Sequence, residues 1–235
     1  MTASPGYRPG YRPEIDGLRA VAVVPVILFH AGFAAFSGGF VGVDVFFVIS
    51  GFLITRILIA DLGAGRFSLL DFYDRRARRI LPALVFVILA ILPLAWLWMT
   101  PDEALSFGRS IVAVTLFVSN VLFWREMDYF SPAAEEQPLL HTWSLAVEEQ
   151  FYLLFPLVLL VAWRLGRRGP AGLVVAGALA SLVLSEWGWR TYPDAAFYLA
   201  PTRAWELLAG AAVALHLSRR TPVPRARRRR FWGSP

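Results

Sequence analysis

The sequence predicts an all-α protein, a polytopic transmembrane helix bundle of about six or seven membrane segments. Three observations carry that expectation. Of 235 residues, 57% are hydrophobic and only 17% charged, with a mean hydropathy of +0.55, outside the range of soluble domains. Apolar runs of roughly 20 residues, the length that crosses a hydrocarbon core of about 30 Å, recur along the chain. The 23 basic residues are all Arg and gather between those runs and in the tail, as the positive-inside rule expects.

Taken in order, residues 1–13 are polar and rich in Pro and Gly and read as a cytoplasmic N-terminal segment, not a cleaved leader. The apolar run Leu18 to Phe36 is expected to span, as is Phe40 to Ala60 after the tight SGGFVGVD connection. A cytoplasmic loop with Arg66, Arg75, Arg76, Arg78 and Arg79 then leads to a span from Ile80 to Thr100. Ser110 to Trp124 is short, and so is the apolar part of Trp143 to Trp163, whose first turns hold Glu148 and Glu149. Ala171 to Trp189 and Leu199 to Leu217 complete the set, and residues 218–235 read as a basic, disordered tail.

Charge orients these segments. Arg8, Arg12, the arginine loop, Arg164, Arg167, Arg168 and the tail ask for the cytoplasmic side, and the acidic stretch from Glu126 to Glu136 for the outside. If every run before Arg125 crossed, the acidic stretch would return to the cytoplasm. Ser110 to Trp124 is therefore expected to be re-entrant or partial. The net charge of +6 lies in span flanks and tail, which points to membrane topology and not to nucleic acid. The chain has no Cys and no Lys, which excludes thiolate catalysis, Cys-ligated metal and lysine Schiff bases. No metal site is expected.

The costly side chains inside apolar segments are the candidate chemistry. Arg19 and His30 are eleven residues apart, about three helical turns and 16 Å, so they share one face at two depths. Arg19 reads either as a snorkelling topology signal or as part of a site. His30 is expected near mid-membrane, where burial would keep a neutral imidazole available as a base. Asp44, early in the second span, either orients His30 or caps its own helix. Arg75, Arg76, Arg78 and Arg79 serve topology or form a fork-shaped phosphate site. His141, Trp143, Ser144 and Glu148 crowd the mouth of a later span. A Ser-His-Glu hydrolase is possible in residue types, but no nucleophile elbow surrounds Ser144. Arg203 and Glu206, spaced i, i+3, are expected to pair with each other.

Five stretches, EIDGLRAVAVVPVILFH, GGFVGVDVFFVISGFLIT, FYDRRARRILP, LLHTWSLAVEEQFYLLFP and PTRAWELLAG, in this order from Pro13 to about Gly210, resemble the membrane-bound acyltransferase-3 family. Its members include bacterial surface-polysaccharide O-acetylases. The resemblance implies transfer of an acyl group, usually acetyl from a cytoplasmic acyl-CoA, to a carbohydrate hydroxyl in a bacterial inner membrane, within a domain over residues 14–217. It places the family's Arg and His pair on Arg19 and His30 and its RxxR pair on Arg76 and Arg79. The acidic residue before QFY falls on Glu148, and the last motif's Arg and Glu on Arg203 and Glu206. It implies acyl-CoA phosphates at the arginine loop, and His30 as general base or transient acyl carrier. The family domain usually continues through about three more membrane helices, so the resemblance also implies a truncated or frameshifted product, or a fragment, ending after Ser218. Two other readings are weighed beside it: a proton- or substrate-translocating transporter using His30, Asp44 and Glu148, and an inactive remnant of the enzyme.

Overall fold

The computed structural model describes residues 13–126, 137–164, 166 and 169–220. Arg8, Arg12, Arg167, Arg168, the acidic stretch beyond Glu126 and the tail arginines from Arg225 onward lie outside them. The described residues form helices and no strand, an all-α membrane bundle as the sequence predicts. Among the described residues, four stretches are long and apolar enough to cross a bilayer: Gly39–Gly63, Leu69–Trp98, Thr142–Arg164 and Gly169–Thr191.

Helix α1 runs Pro13–His30, opened by a proline with Glu14 and Asp16 in its first turn, both favourable at a helix N-terminus. It ends at His30, and Gly32 turns the chain at φ 79°. Two short 3₁₀ turns, Ala34–Phe36 and Gly39–Val41, lead into α2, Gly42–Gly63. The single helix expected over Leu18 to Phe36 is thus corrected: the helix ends at His30, six residues before Phe36.

Helix α3 spans Leu69–Trp98, with the Ser68 hydroxyl accepting from the Asp71 amide at its start. The stretch DFYDRRARRILP, expected as a loop, is its first three turns. Pro82 lies inside the helix. Helix α4, Pro101–Thr115, opens on a capping box between Thr100 and Glu103 with a proline at its first position. At about 22 Å it is too short to cross. Phe117, at φ 54°, breaks the path, and α5, Ser119–Glu126, follows. The stretch Ser110 to Trp124 is therefore the end of one short helix and most of another.

Helix α6 is Thr142–Arg164, α7 Gly169–Thr191, α8 Pro193–Tyr198 and α9 Ala200–Arg220. A buried polar network fixes the break before α5. Gln150 of α6 donates to the Phe117 carbonyl at 2.9 Å and to Asn120 Oδ1 at 2.8 Å, and Asn120 donates to the Tyr198 carbonyl at 3.2 Å. Ser119 donates to the Thr142 carbonyl at 3.0 Å. These bonds satisfy the Phe117 carbonyl at the interruption and tie it to carbonyls at the start of α6 and the end of α8, as irregular backbone at membrane depth requires.

Helices α2 and α9 run side by side in the same direction, in backbone contact. A Cβ on Gly51 would lie 1.9 Å from the Leu207 carbonyl oxygen, and one on Gly210 1.9 Å from that of Val48. Small residues permit such approach between membrane helices. One core packs Phe47, Phe123, Trp143, Val147, Tyr198 and Leu207; a second packs Ile54, Leu58, Tyr152, Phe155, Ala211 and Leu215.

Candidate functional site

Four helices enclose a cavity of about 410 Å³, within the usual range of ligand pockets. Helix α1 contributes Arg19, α2 Phe46, Phe47 and Ser50, and α3 Arg76 and Arg79. His141, Ser144, Glu148 and Tyr152 come from α6 and the residue before it. Their i, i+3, i+4 spacing is one helical face, and from His141 to Tyr152 it extends about 16 Å along the bundle.

At the Tyr152 end the groups interlock. The Arg76 guanidinium lies 3.8 Å above the Tyr152 ring, and its Nη2 donates to Glu149 Oε1 at 3.4 Å. The Tyr152 hydroxyl donates to Glu148 Oε1. Arg76 Nε is buried and has no hydrogen-bond partner among the described residues, a deficit of about 1–3 kcal/mol that a bound acceptor would relieve. Arg19 stands 5.0 Å over the Phe46 ring.

The arginine group expected to act as one is divided. Arg76 and Arg79 line the cavity. Arg75 donates to Asp61 at 3.4 Å, and Arg78 donates to Asp74 at 2.8 Å with its side chain 79% exposed. At about 100° per residue, Arg78 is carried away from the face shared by Arg76 and Arg79, and Asp61 draws Arg75 aside. Asp44 is also redirected. Expected beside His30 or as a helix cap, it ion-pairs with Arg203 of α9, and α2 opens with no side-chain cap. Gly42 rests against Ala22 and Val26, which sets Asp44 about two turns of α1 below His30.

Arg203 is the hub of a buried cluster. It pairs with Asp44, lies 3.1 Å from the fully buried Glu206, and faces the rings of Trp143 at 5.8 Å and Phe197 at 5.6 Å. The i, i+3 pair is present as expected, joined by a carboxylate 159 positions away. Trp143 is 2% exposed and belongs to this packing.

At the opposite end, His141 lines the cavity and His30 stands near it without lining it. Burial pushes the His141 imidazole below its ordinary 6.5, and the charge of His30 adds to this. His30 Nδ1 is 2.8 Å from the Val26 carbonyl. Ser144 donates to the His141 backbone carbonyl at 3.1 Å and not to an imidazole, so the hydrolase arrangement lacks its nucleophile–base contact.

Sequence reasoning passed over Tyr152 and Ser50. Tyr152 was within reach, since it follows Glu148 by four positions and shares its face. Ser50 carries no such signal.

The acyltransferase-domain family matches residues 12–232. The chain is 42% identical over 181 residues to the O-acetyltransferase OatA of Staphylococcus aureus, covering 75% of this chain and 29% of that protein. It is 38% identical over 222 residues to the peptidoglycan O-acetyltransferase OatA of Listeria monocytogenes, covering 91% of this chain and 35% of that one. The chain thus spans about a third of the length of each relative. No solved structure matches it.

Proposed function

Since the chain belongs to the acyltransferase-3 family, we propose that it takes part in O-acetylation of a cell-surface carbohydrate in a bacterial membrane, with acetyl-CoA as donor and its N-terminus on the cytoplasmic side. The observation that carries the donor assignment is that Arg19, Arg76 and Arg79 line one cavity and that Arg76 Nε has no hydrogen-bond partner among the described residues. Planar guanidinium groups suit phosphate oxygens. The relatives' printed names, O-acetyltransferase and peptidoglycan O-acetyltransferase, support acetyl as the group and a glycan as the acceptor.

In this reading the acceptor hydroxyl oxygen attacks the thioester carbonyl carbon. An imidazole takes the hydroxyl proton, the carbon–sulfur bond breaks, and the leaving thiolate is protonated as the ester is released. Family resemblance assigns the imidazole to His30. A specific observation favours a second assignment: His141 is the imidazole that lines the cavity. Glu148, held by Tyr152, lines the same cavity, while Arg203, Asp44 and Glu206 brace the helices behind it.

The test is acetyl transfer from acetyl-CoA in membranes containing the protein. Replacing both Arg76 and Arg79 by Ala should raise the donor KM about tenfold or more, as loss of charge-assisted hydrogen bonds implies. An unchanged KM would count against the phosphate site. Replacing the true base should lower kcat by about 10²- to 10⁴-fold. Comparing His30→Ala with His141→Ala decides which imidazole that is, and undiminished transfer in both would remove the general-base step.

A further inference from the structure

We propose that Tyr152 is a positioning residue that keeps the cationic and carboxylate halves of the cavity in register yet apart, an inference that rests on the acyl-transfer reading above. One side chain makes two chemically different contacts with charged groups, and its hydroxyl also meets Ser50. Its ring face carries the Arg76 guanidinium at 3.8 Å, and its hydroxyl donates to Glu148 Oε1. Tyr152 is 3% exposed and Glu148 8%, so both contacts are made away from bulk water, where the attraction of a cation to a ring and of a phenol to a carboxylate is strongest.

The arrangement matters because each carboxylate bonded to a guanidinium occupies donors that an incoming anion needs, and the phenol engages Glu148 in place of Arg76. Among the described residues the ion pair of Arg76 is with Glu149, while Glu148 is held by the phenol. The ring supports the guanidinium from its face, a contact that uses none of its N–H groups. Arg76 Nε is buried and has no hydrogen-bond partner among the described residues. The phenolic hydrogen bond fixes one carboxylate oxygen of Glu148, which lines the cavity.

The two contacts separate by mutation. Tyr152→Phe keeps the ring and loses the hydroxyl, so kcat for acetyl transfer should fall about tenfold or more, the effect of one hydrogen bond to a charged group, with the Kd for acetyl-CoA unchanged. Tyr152→Leu should also weaken acetyl-CoA binding. Equal losses of kcat and affinity in both variants, or a Tyr152→Phe protein that behaves as wild type, would overturn the proposal. Thermal unfolding gives a readout independent of the donor. The Tm shifts of Tyr152→Phe and Glu148→Gln should be non-additive, while those of Tyr152→Phe and Arg76→Gln should add. If wild-type protein does not bind acetyl-CoA, the donor assignment fails, and this cycle still decides the role of Tyr152: additive shifts with Glu148→Gln would remove it.

Discussion

His141 stands at the residue just before α6, where the surrounding protein and then His30 hold its imidazole below the ordinary 6.5. The folded state therefore binds fewer protons than the unfolded chain in the window between the lowered value and pH 6.5. In that window the stability associated with His141 rises with pH, and it is lost on acidification. Chemical denaturation between about pH 5 and 8 should show this slope in wild type and a shallower one in His141→Gln. In an imidazole NMR titration, His30→Gln should move the His141 midpoint upward, though still below 6.5, because burial is the larger cause. The arginine cluster shows what is legible at this scale. That Arg76 and Arg79 share a face follows from their spacing. That Arg75 would turn to Asp61, fourteen positions earlier, does not, because local periodicity carries no information about which partner a long side chain meets.

Among elements, the α2–α9 contact makes the sharpest demand on sequence. Gly51→Ala or Gly210→Ala would set a methyl against a backbone carbonyl and should cost about 1–3 kcal/mol or more, read as a lowered unfolding temperature in detergent. Gly108→Ala is the contrast. Nothing lies within 4 Å of the added carbon in α4, so that variant should gain about 0.5–1 kcal/mol from helix propensity. The helices α6, α7 and α9 lie close to where the apolar runs place them, since hydropathy and helical length agree there. The end of α1 and the start of α3 do not. Hydropathy follows the apolar stretch past His30 to Phe36 and ignores the polar first turns of α3, which are helical because Ser68 caps them. The Asp44–Arg203 pair was beyond reach for another reason: a contact across 159 positions depends on the packing of α2 against α9.

At the scale of the whole molecule, α3 joins two ends that charge assigns to opposite sides of the membrane. The chain has no Cys, so single cysteines report cleanly on sidedness. Asp102→Cys, beyond the far end of α3, should react in intact cells with a maleimide that cannot cross membranes. Arg66→Cys, before its near end, should react only after permeabilisation; the reverse pattern would invert the orientation. Helix α3 carries a further consequence. Its 30 residues extend about 45 Å, well beyond a hydrocarbon core of about 30 Å, and only 11% of its apolar window is buried. It meets α6 through the Tyr73 hydroxyl on the Leu153 carbonyl at 2.8 Å and through Arg76 on Glu149. A hydrophobic helix longer than the hydrocarbon core is accommodated by tilting, kinking or local thickening of the bilayer, and Arg76 and Arg79 ride on this one. Any tilt of α3 would therefore carry two of the cavity's three arginines with it relative to the α6 face.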